Sequence, residues 1–325
     1  MTKAIILSET GGPEVLRWVD YDPGQPGPGE VLIRHEAVGL NFIDVYHRTG
    51  LYPLPSLPAI PGMEGAGIVE SVGEGVKELS AGDRVAYAGL PPGAYAESRL
   101  IPADRLVAIP GSISTHQAAA MMLQGMTARY LLHGCYHVKA GDTILIHAAA
   151  GGVGSIVCQW AGHLGATVIG TVGSEKKAEI AKSNGCHHPI RYTEEDFVAR
   201  VREITGDGGV DAVYDSVGQA TFMQSLDCLR PMGTMVTFGQ ASGPVQPLDL
   251  GVLAAKGSLF LTRPSLMTYT AQREDLLAHA QDLFKVVTEG AVKIEINQTY
   301  PLAEAALAHR DLEARKTTGS TILIP

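Results

Sequence analysis

The stretch Thr-Ile-Leu-Ile-His-Ala-Ala-Ala-Gly-Gly-Val-Gly, residues 143–154, decides how this chain folds. Residues 143–147 read as a short buried strand, an apolar run bounded by turn signals. Residues 148–154 read as a tight turn. Residues 155–164 then carry a helical apolar pattern: Ile156, Val157, Trp160, Ala161 and Leu164. A strand, a glycine turn and a helix in that order form the phosphate cradle of a dinucleotide-binding fold. Gly151 and Gly154 let the backbone turn sharply and approach a pyrophosphate, while Gly152 and Val153 place amide N–H groups at the helix N-terminus. Ala149 stands where the fingerprint usually has its first glycine. Glycine turns are common, and the pattern alone also suits a purely structural turn. The elements on both sides favour the nucleotide site.

Working outward, strands and helices alternate from residue 143 onward. Strands are expected at 167–172, 211–216, 233–238 and 257–262, with helices at 174–183, 194–205 and 221–229. Such alternation gives an α/β fold, a parallel sheet covered by helices on both faces. The N-terminal side reads differently. Residues 4–7, 31–37, 67–72 and 84–87 are short strands between Gly/Pro turns, and Pro53, Pro55, Pro58 and Pro61 make 52–62 a loop of restricted backbone freedom. That spacing suggests a partly closed barrel or sandwich. Residues 114–132 turn helical. After Arg263 the alternation stops: a helix at 272–289, a strand at 294–298, a helix at 303–314 and a strand at 320–324. These isolated strands fit as additions to the first domain. The expected organisation is residues 1–125 with 266–325 as one domain and 126–265 as the other.

Composition narrows the function classes. A chain of 325 residues, 45% hydrophobic and 18% charged, suits two globular domains with substantial cores. A net charge of −9 argues against a nucleic-acid backbone or an anionic membrane as the main partner. Met1-Thr2-Lys3 is followed by four apolar residues before Ser8, which does not read as a signal peptide. No apolar run approaches the ~18 residues of a membrane span. Cys135, Cys158, Cys186 and Cys228 are scattered without a C-x-x-C pair, which suits reduced thiols in a cytoplasmic protein.

Further motifs carry a family resemblance. They are Gly-Leu-Asn-Phe-Ile-Asp-Val-Tyr at 39–46, Gly-Leu-Tyr-Pro at 50–53, Pro-Gly-Met-Glu-Gly-Ala-Gly at 61–67 and Ala-Gly-Asp-Arg-Val at 81–85. Tyr-Asp-Ser-Val-Gly at 214–218 and Thr-Arg-Pro-Ser-Leu at 262–266 join them, with Ala-Ala-Ala-Gly-Gly-Val-Gly at 148–154. Together they resemble the quinone oxidoreductases, the zinc-free branch of the medium-chain dehydrogenase/reductase superfamily. The resemblance implies a GroES-like β-barrel domain, an inserted Rossmann doubly wound parallel-sheet domain, and a return to the barrel at the C-terminus. It also implies NADPH between the domains, hydride transfer to a small-molecule quinone, and a homodimer joined through the strand at 257–262.

Metal chemistry is not expected. Zinc alcohol dehydrogenases carry Gly-His-Glu where this chain has Gly62-Met63-Glu64, and methionine is a poor zinc ligand. Residues 1–134 contain no cysteine. His133, Cys135 and His137 are the only local cluster, and Gly134 argues against a rigid helix that would align them. His187 and His188 adjoin Pro189 and read as strand or loop. Quinone reduction needs little acid–base apparatus, because solvent can protonate a stabilised hydroquinone anion. The protein must mainly orient the reactants.

By resemblance, Asn41, Phe42, Asp44 and Tyr46 line the nicotinamide end of the cofactor with Tyr52 nearby. Asn41, Tyr46 and Tyr52 are the catalytic candidates, since a phenol can donate to a quinone oxygen or stack on its ring. Gln124 and Thr127 are expected within reach of the nicotinamide. Thr127 reads equally as a helix residue bonding back to its own turn. An NAD site usually has an acidic residue about 20 residues past the glycine turn. This chain has Gly173 there, followed by Ser174. Lys177 and Tyr192 match the family's recognition of a 2′-phosphate, although Lys177 alone also suits a solvated helix face. Ser216, Gly218, Phe238, Gly239 and Arg263 end strands on the ligand side of the sheet. Arg315 or Lys316 is expected to return to the cofactor. The rival activity is reduction of an alkenal or enone double bond. The rival outside enzymes is a crystallin-like or RNA-binding nucleotide-binding protein, and the acidic balance counts against RNA.

Overall fold

In the computed structural model, which describes residues 2–325, the chain opens with strands β1 (Thr2–Leu7), β2 (Leu16–Tyr21) and β3 (Glu30–Gly39) and helix α1 (Phe42–Thr49). Strands β4 (Glu64–Val72), β5 (Arg84–Ala88), β6 (Ser98–Pro102) and β7 (Val107–Ala108) follow, then helices α2 (Thr115–Ala119) and α3 (Met122–Tyr130). The alternating part comprises β8 (Thr143–His147), α4 (Gly152–His163), β9 (Thr167–Val172), α5 (Glu175–Ser183), β10 (His188–Arg191) and α6 (Phe197–Thr205). It continues with β11 (Val210–Asp215), α7 (Phe222–Asp227), β12 (Leu229–Thr237), α8 (Gly251–Ala255), β13 (Phe260–Thr262) and α9 (Leu266–Tyr269). Helix α10 (Arg273–Thr288), β14 (Ile296–Pro301), α11 (Ala305–Glu313) and β15 (Ser320–Ile324) complete the chain.

These elements divide into two units. One comprises the chain through Met126 with Thr270–Thr288 and Ile294–Pro325. The other comprises Thr127–Tyr269 and Glu289–Lys293. Residues 289–293 join the second unit through Gln159, whose amide accepts from the Lys293 N–H at 2.8 Å and donates to the Lys293 carbonyl at 3.1 Å.

In the second unit six parallel strands lie in the order β10-β9-β8-β11-β12-β13. Sequential order reverses between β8 and β11, and such a switch point places ligands at the carboxyl ends of the strands. One face of the sheet is filled by Leu145, Ile169, Val213 and Met235 packed with Phe197, Phe222 and Leu226 from the helices. Helix α4 starts three residues earlier than its apolar pattern, at Gly152 with Gly151 as its N-cap. Apolar periodicity cannot register the glycines of a first turn. Gly154 is needed there: a Cβ would lie 2.3 Å from the Ala148 carbonyl oxygen. Strand β13 is half the expected length, because Gly257 (φ +108°) and Ser258 (φ +58°) form a turn. Helix α6 begins at Phe197 rather than 194 because Asp196 caps it, accepting from the N–H groups of Val198 and Ala199.

The first unit holds a larger, mostly antiparallel sheet ordered β14-β15-β3-β4-β5-β7, with β6 also on β3, and a ribbon of β1 with β2. The terminal strand β15 does join it, pairing with β3 at Ile322–Gly39 and Leu323–Val38. Its core gathers Leu7, Val31, Ile33, Val69, Val85, Ile101 and Leu106. Strands β2 and β6 were not evident in the sequence, where Arg17, Asp20 and Arg99 dilute the apolar signal. Strand β14 runs two to three residues later than expected and ends at Pro301. The helical stretch at 114–132 is two helices, separated at the Ala120 cap. The Leu123 N–H, in the first turn of α3, donates instead to the Glu64 carboxylate at 2.8 Å. That satisfies a donor with no partner inside its own helix.

Candidate active site

Asn41 caps α1, and its own N–H donates to Asp44 Oδ2 at 2.9 Å. Its side chain is held at both ends. Nδ2 donates to Glu64 Oε2 at 2.7 Å, and Oδ1 accepts from Gln124 Nε2 at 3.2 Å. Gln124 Oε1 in turn accepts from the Ser320 hydroxyl at 2.8 Å. All four residues are buried, so each bond forms where water does not compete. Burial pushes the Glu64 carboxyl up to about 8, against the opposing hydrogen bonds from Asn41 and Leu123. Burial likewise raises Asp44 to about 7.

A second chain of polar groups leads from Asp44 through the body of the unit. The Tyr95 hydroxyl donates to Asp44 Oδ2 at 3.1 Å and lies 3.0 Å from His309 Nε2. His309 Nδ1 faces Arg48 Nη1 at 3.5 Å. A guanidinium only donates, so Nδ1 accepts and Nε2–H donates to Tyr95. Burial pushes His309 down to about 3, which keeps the ring neutral. Arg48 also makes a two-pronged pair with Glu313 at 2.9 and 2.8 Å and donates to the Gly11 carbonyl at 3.1 Å. These bonds fix α1, and with it the aromatic residues it carries. Tyr46 is buried, with its ring 6.1 Å from Phe42 and edge-on to Tyr52 at 5.0 Å. The half-buried Tyr52 is tied back by its N–H to the Tyr46 carbonyl at 3.0 Å.

In the second unit the candidate residues follow the carboxyl ends of the strands. Gly151 is the N-cap of α4, and Gly152 and Val153 open its first turn. Gly173 follows β9, and a Cβ there would lie 2.8 Å from the Tyr192 hydroxyl. Ser174 caps α5, its Oγ accepting from the Lys177 N–H at 3.4 Å. Ser216 follows β11, and Phe238 and Gly239 follow β12. Asp215 shapes this edge: buried, it accepts from the N–H groups of Val217 at 2.7 Å and Gly218 at 3.1 Å and from the Thr221 hydroxyl at 2.8 Å. Arg263 donates to the carbonyls of Thr237 at 3.0 Å and Gly239 at 2.9 Å.

Asn41 and Gln124 are thus brought into direct contact, as are Tyr46 and Tyr52, Gly173 and Tyr192, and Arg263 and Gly239. Thr127 is buried on α3. Asp44 is fully enclosed and supports the cap instead of presenting a face. Lys316 is exposed and pairs with Asp311 at 2.9 Å. Sequence reasoning missed Glu64, Ser320, Asp215 and the Tyr95–His309–Arg48–Glu313 chain. In the sequence Glu64 stands out only as the neighbour of the Met63 position, and Asp215 only as part of a motif. Among the described residues no three His, Cys, Asp or Glu side chains are grouped to hold a metal ion. His133 and His137 do lie ring to ring at 5.9 Å, where a π-helical turn over Leu131–Cys135 ends α3.

The alcohol dehydrogenase GroES-like domain family matches residues 27–111, and the zinc-binding dehydrogenase family matches residues 152–281. The quinone oxidoreductase of Pseudomonas aeruginosa is 52% identical over the whole of both chains. A crystal structure of the Escherichia coli quinone oxidoreductase complexed with NADPH is 49% identical, covers 99% of this chain and 100% of its own, and superposes with a TM-score of 0.98. A 2-haloacrylate reductase of a Burkholderia species is 47% identical over 100% of this chain and 99% of its own. With its GroES-like and Rossmann-type units and these full-length similarities, the chain belongs to the bacterial quinone oxidoreductase family.

Proposed function

We propose that this protein is an NADPH-dependent quinone oxidoreductase. The observation that carries the cofactor half of the reading is the segment after β9 and β10. Gly173 leaves no acidic side chain to bond ribose hydroxyls, and any side chain there would press on the Tyr192 hydroxyl. Tyr192, Ser174 and Lys177 then offer hydroxyls and positive charge to a 2′-phosphate, and Gly151, Gly152 and Val153 offer backbone amides to the pyrophosphate. When bound, NADPH supplies a hydride from C4 of its nicotinamide. Asn41 orients the nicotinamide end together with Phe42, Gln124 and Thr127. Tyr46 and Tyr52 receive the acceptor ring and donate to its oxygen. Ser216, Phe238, Gly239 and Arg263 line the edge beyond the switch point. The support for the acceptor is that relatives near 50% identity are quinone oxidoreductases.

A second reading, reduction of an activated carbon–carbon double bond, is favoured by the Burkholderia relative. Turnover of NADPH with 1,4-benzoquinone, 2-chloroacrylate and an alkenal decides between them. Rapid loss of NADPH absorbance with the quinone and slow loss with the alkenes supports the first reading. The reverse order replaces it with the second.

Two finer expectations belong to the same proposal. The protein is a homodimer joined through β13, supported by that strand's place at the sheet edge and by Phe260, 63% exposed there, with Met232, two residues before Phe260's partner Thr234 on β12, 62% exposed. Sedimentation at micromolar concentration should give the dimer mass, and a monomer refutes it. A cytoplasmic location accords with the absence, among the described residues, of a helix long and apolar enough to cross a membrane. Fractionation of cells checks it.

A further inference from the structure

We propose that Glu64 is a positioning residue: its carboxylate sets which way round the Asn41 side-chain amide sits, and therefore which hydrogen-bonding end Asn41 offers to the cofactor. This rests on the reading of Asn41 as a contact to the nicotinamide end.

The inference follows from the donors and acceptors in the buried chain. Above about 8, the value to which burial raises it, the Glu64 carboxyl is ionised and only accepts. One oxygen of Glu64 is occupied by the Leu123 N–H, a main-chain donor that cannot turn away. The other oxygen requires a donor, and Asn41 Nδ2 is the group that meets it. Asn41 Oδ1 must then face Gln124, which has to present Nε2. Gln124 Oε1 is left facing Ser320, whose hydroxyl donates. Every bond in the chain therefore points toward Glu64. Asn41 has one Nδ2–H spent on Glu64 and one in hand.

Glu64→Gln preserves the shape and reverses the polarity. The Leu123 N–H holds the new amide oxygen, and the new NH2 group confronts Asn41 Nδ2, donor against donor. Asn41 relieves the conflict by turning its amide over, and Gln124 follows. Ser320 absorbs the reversal, since a hydroxyl accepts as readily as it donates. The buried chain is again fully bonded, but the N–H and lone-pair ends of Asn41 have exchanged places. Glu64→Asp does the opposite: it keeps acceptor-only chemistry and loses one methylene of reach.

The test compares steady-state quinone reduction by NADPH in the full-length protein and its variants at about pH 9, above the value to which burial raises Glu64. The proposal expects Glu64→Gln to lower kcat about tenfold, the scale of one misdirected neutral hydrogen bond. The KM for quinone should hold within about twofold, and the melting temperature at that pH should not fall below the native one. Glu64→Asp should retain more kcat than Glu64→Gln. A residue that merely fills space gives the reverse ranking, because Gln is the isosteric replacement, and that ranking overturns the proposal. In an Asn41→Ala background, adding Glu64→Gln should change kcat less than about twofold, since the two act as one unit. A tenfold loss that persists in that background also overturns it. Loss of turnover in Asn41→Ala with none in Glu64→Gln overturns the positioning role alone. Native turnover and native NADPH affinity in Asn41→Ala overturn the Asn41 reading itself, and the proposal with it.

Discussion

The surroundings of Asn41 and the edge of the parallel sheet, the two candidate ligand regions, are built by opposite means. Around Asn41 the polar groups are enclosed: Asp44 and Glu64 have no exposed surface, and Arg48 has almost none. Glu64 is held by the Asn41 side chain and the Leu123 N–H, Asp44 by the Asn41 N–H and the Tyr95 hydroxyl, and Arg48 by Glu313 on α11. At the sheet edge the candidate groups are backbone amides of a helix N-terminus and exposed or half-exposed side chains such as Ser174, Lys177 and Tyr192. The first region places a few atoms rigidly, at the cost of desolvating charge. The second combines backbone amides with solvent-facing side chains such as Lys177, and leaves room where a side chain would intrude, as at Gly173. A substitution in the first region should therefore register as stability and turnover together, and one in the second as affinity alone.

Arg48→Ala should show the largest effect. Its removal leaves His309 and the Gly11 carbonyl without their donor and Glu313 unpaired. Breaking a buried pair costs ~3–5 kcal/mol, and the partial exposure of Glu313 places this one near about 3 kcal/mol. A fall in melting temperature of several degrees checks it. Lys177→Ala should stay within ~0.5 kcal/mol of the native stability. Equal losses in the two variants would erase the contrast between the regions.

The enclosed carboxyls sharpen the contrast through pH. Glu64 is raised from an ordinary 4.5 to about 8. Across that window the folded protein holds a proton that the unfolded chain releases, so stability falls as pH rises from about 4.5 and levels off above about 8. Asp44, raised from 3.8 to about 7, acts in the same direction. Glu64→Gln removes the larger contribution, so its melting temperature should decline less than the native one between pH 5 and 8. Parallel curves would show that the carboxyl titrates in its ordinary range.

Tyr46→Phe should have a smaller effect, lowering turnover about tenfold. One neutral hydrogen bond is worth roughly 0.5–1.5 kcal/mol, and solvent can still deliver the proton. A loss of ~10²–10⁴-fold is the scale of a general acid and would assign Tyr46 that role. Chelation followed by elemental analysis should leave activity intact, given Met63 between Gly62 and Glu64. Activity lost and restored only by zinc contradicts this.

The sheet edge was the more legible region in the sequence. Its signals are local: a strand, a glycine turn and a helix within some twenty residues, then Gly173 at a fixed distance. The parallel sheet and most strand positions could be read the same way. The enclosed region could not. Asn41, Tyr46 and Tyr52 came from a motif, but their supports lie far along the chain. Glu64 is 23 residues from Asn41, and Ser320 is 196 from Gln124. His309 and Glu313 sit on a C-terminal helix whose periodicity shows an apolar face and nothing of the polar chain it buries. The helix break near Ala120 was hidden for the same reason, since the acceptor of the Leu123 N–H belongs to β4.

The central claim is that the segment at 173–192 makes this an NADPH enzyme, and paired dissociation constants test it most directly. NADPH and NADH are titrated into the native protein and into Lys177→Ala at two salt concentrations. One charge-assisted hydrogen bond is worth ~1.5–3 kcal/mol, and screening trims it at a solvent-facing site. The native protein should bind NADPH at least about tenfold more tightly than NADH. Lys177→Ala should lose NADPH affinity, keep NADH affinity and lose most of the salt dependence. Equal native affinities, or an equal loss for both cofactors in the variant, would contradict the account.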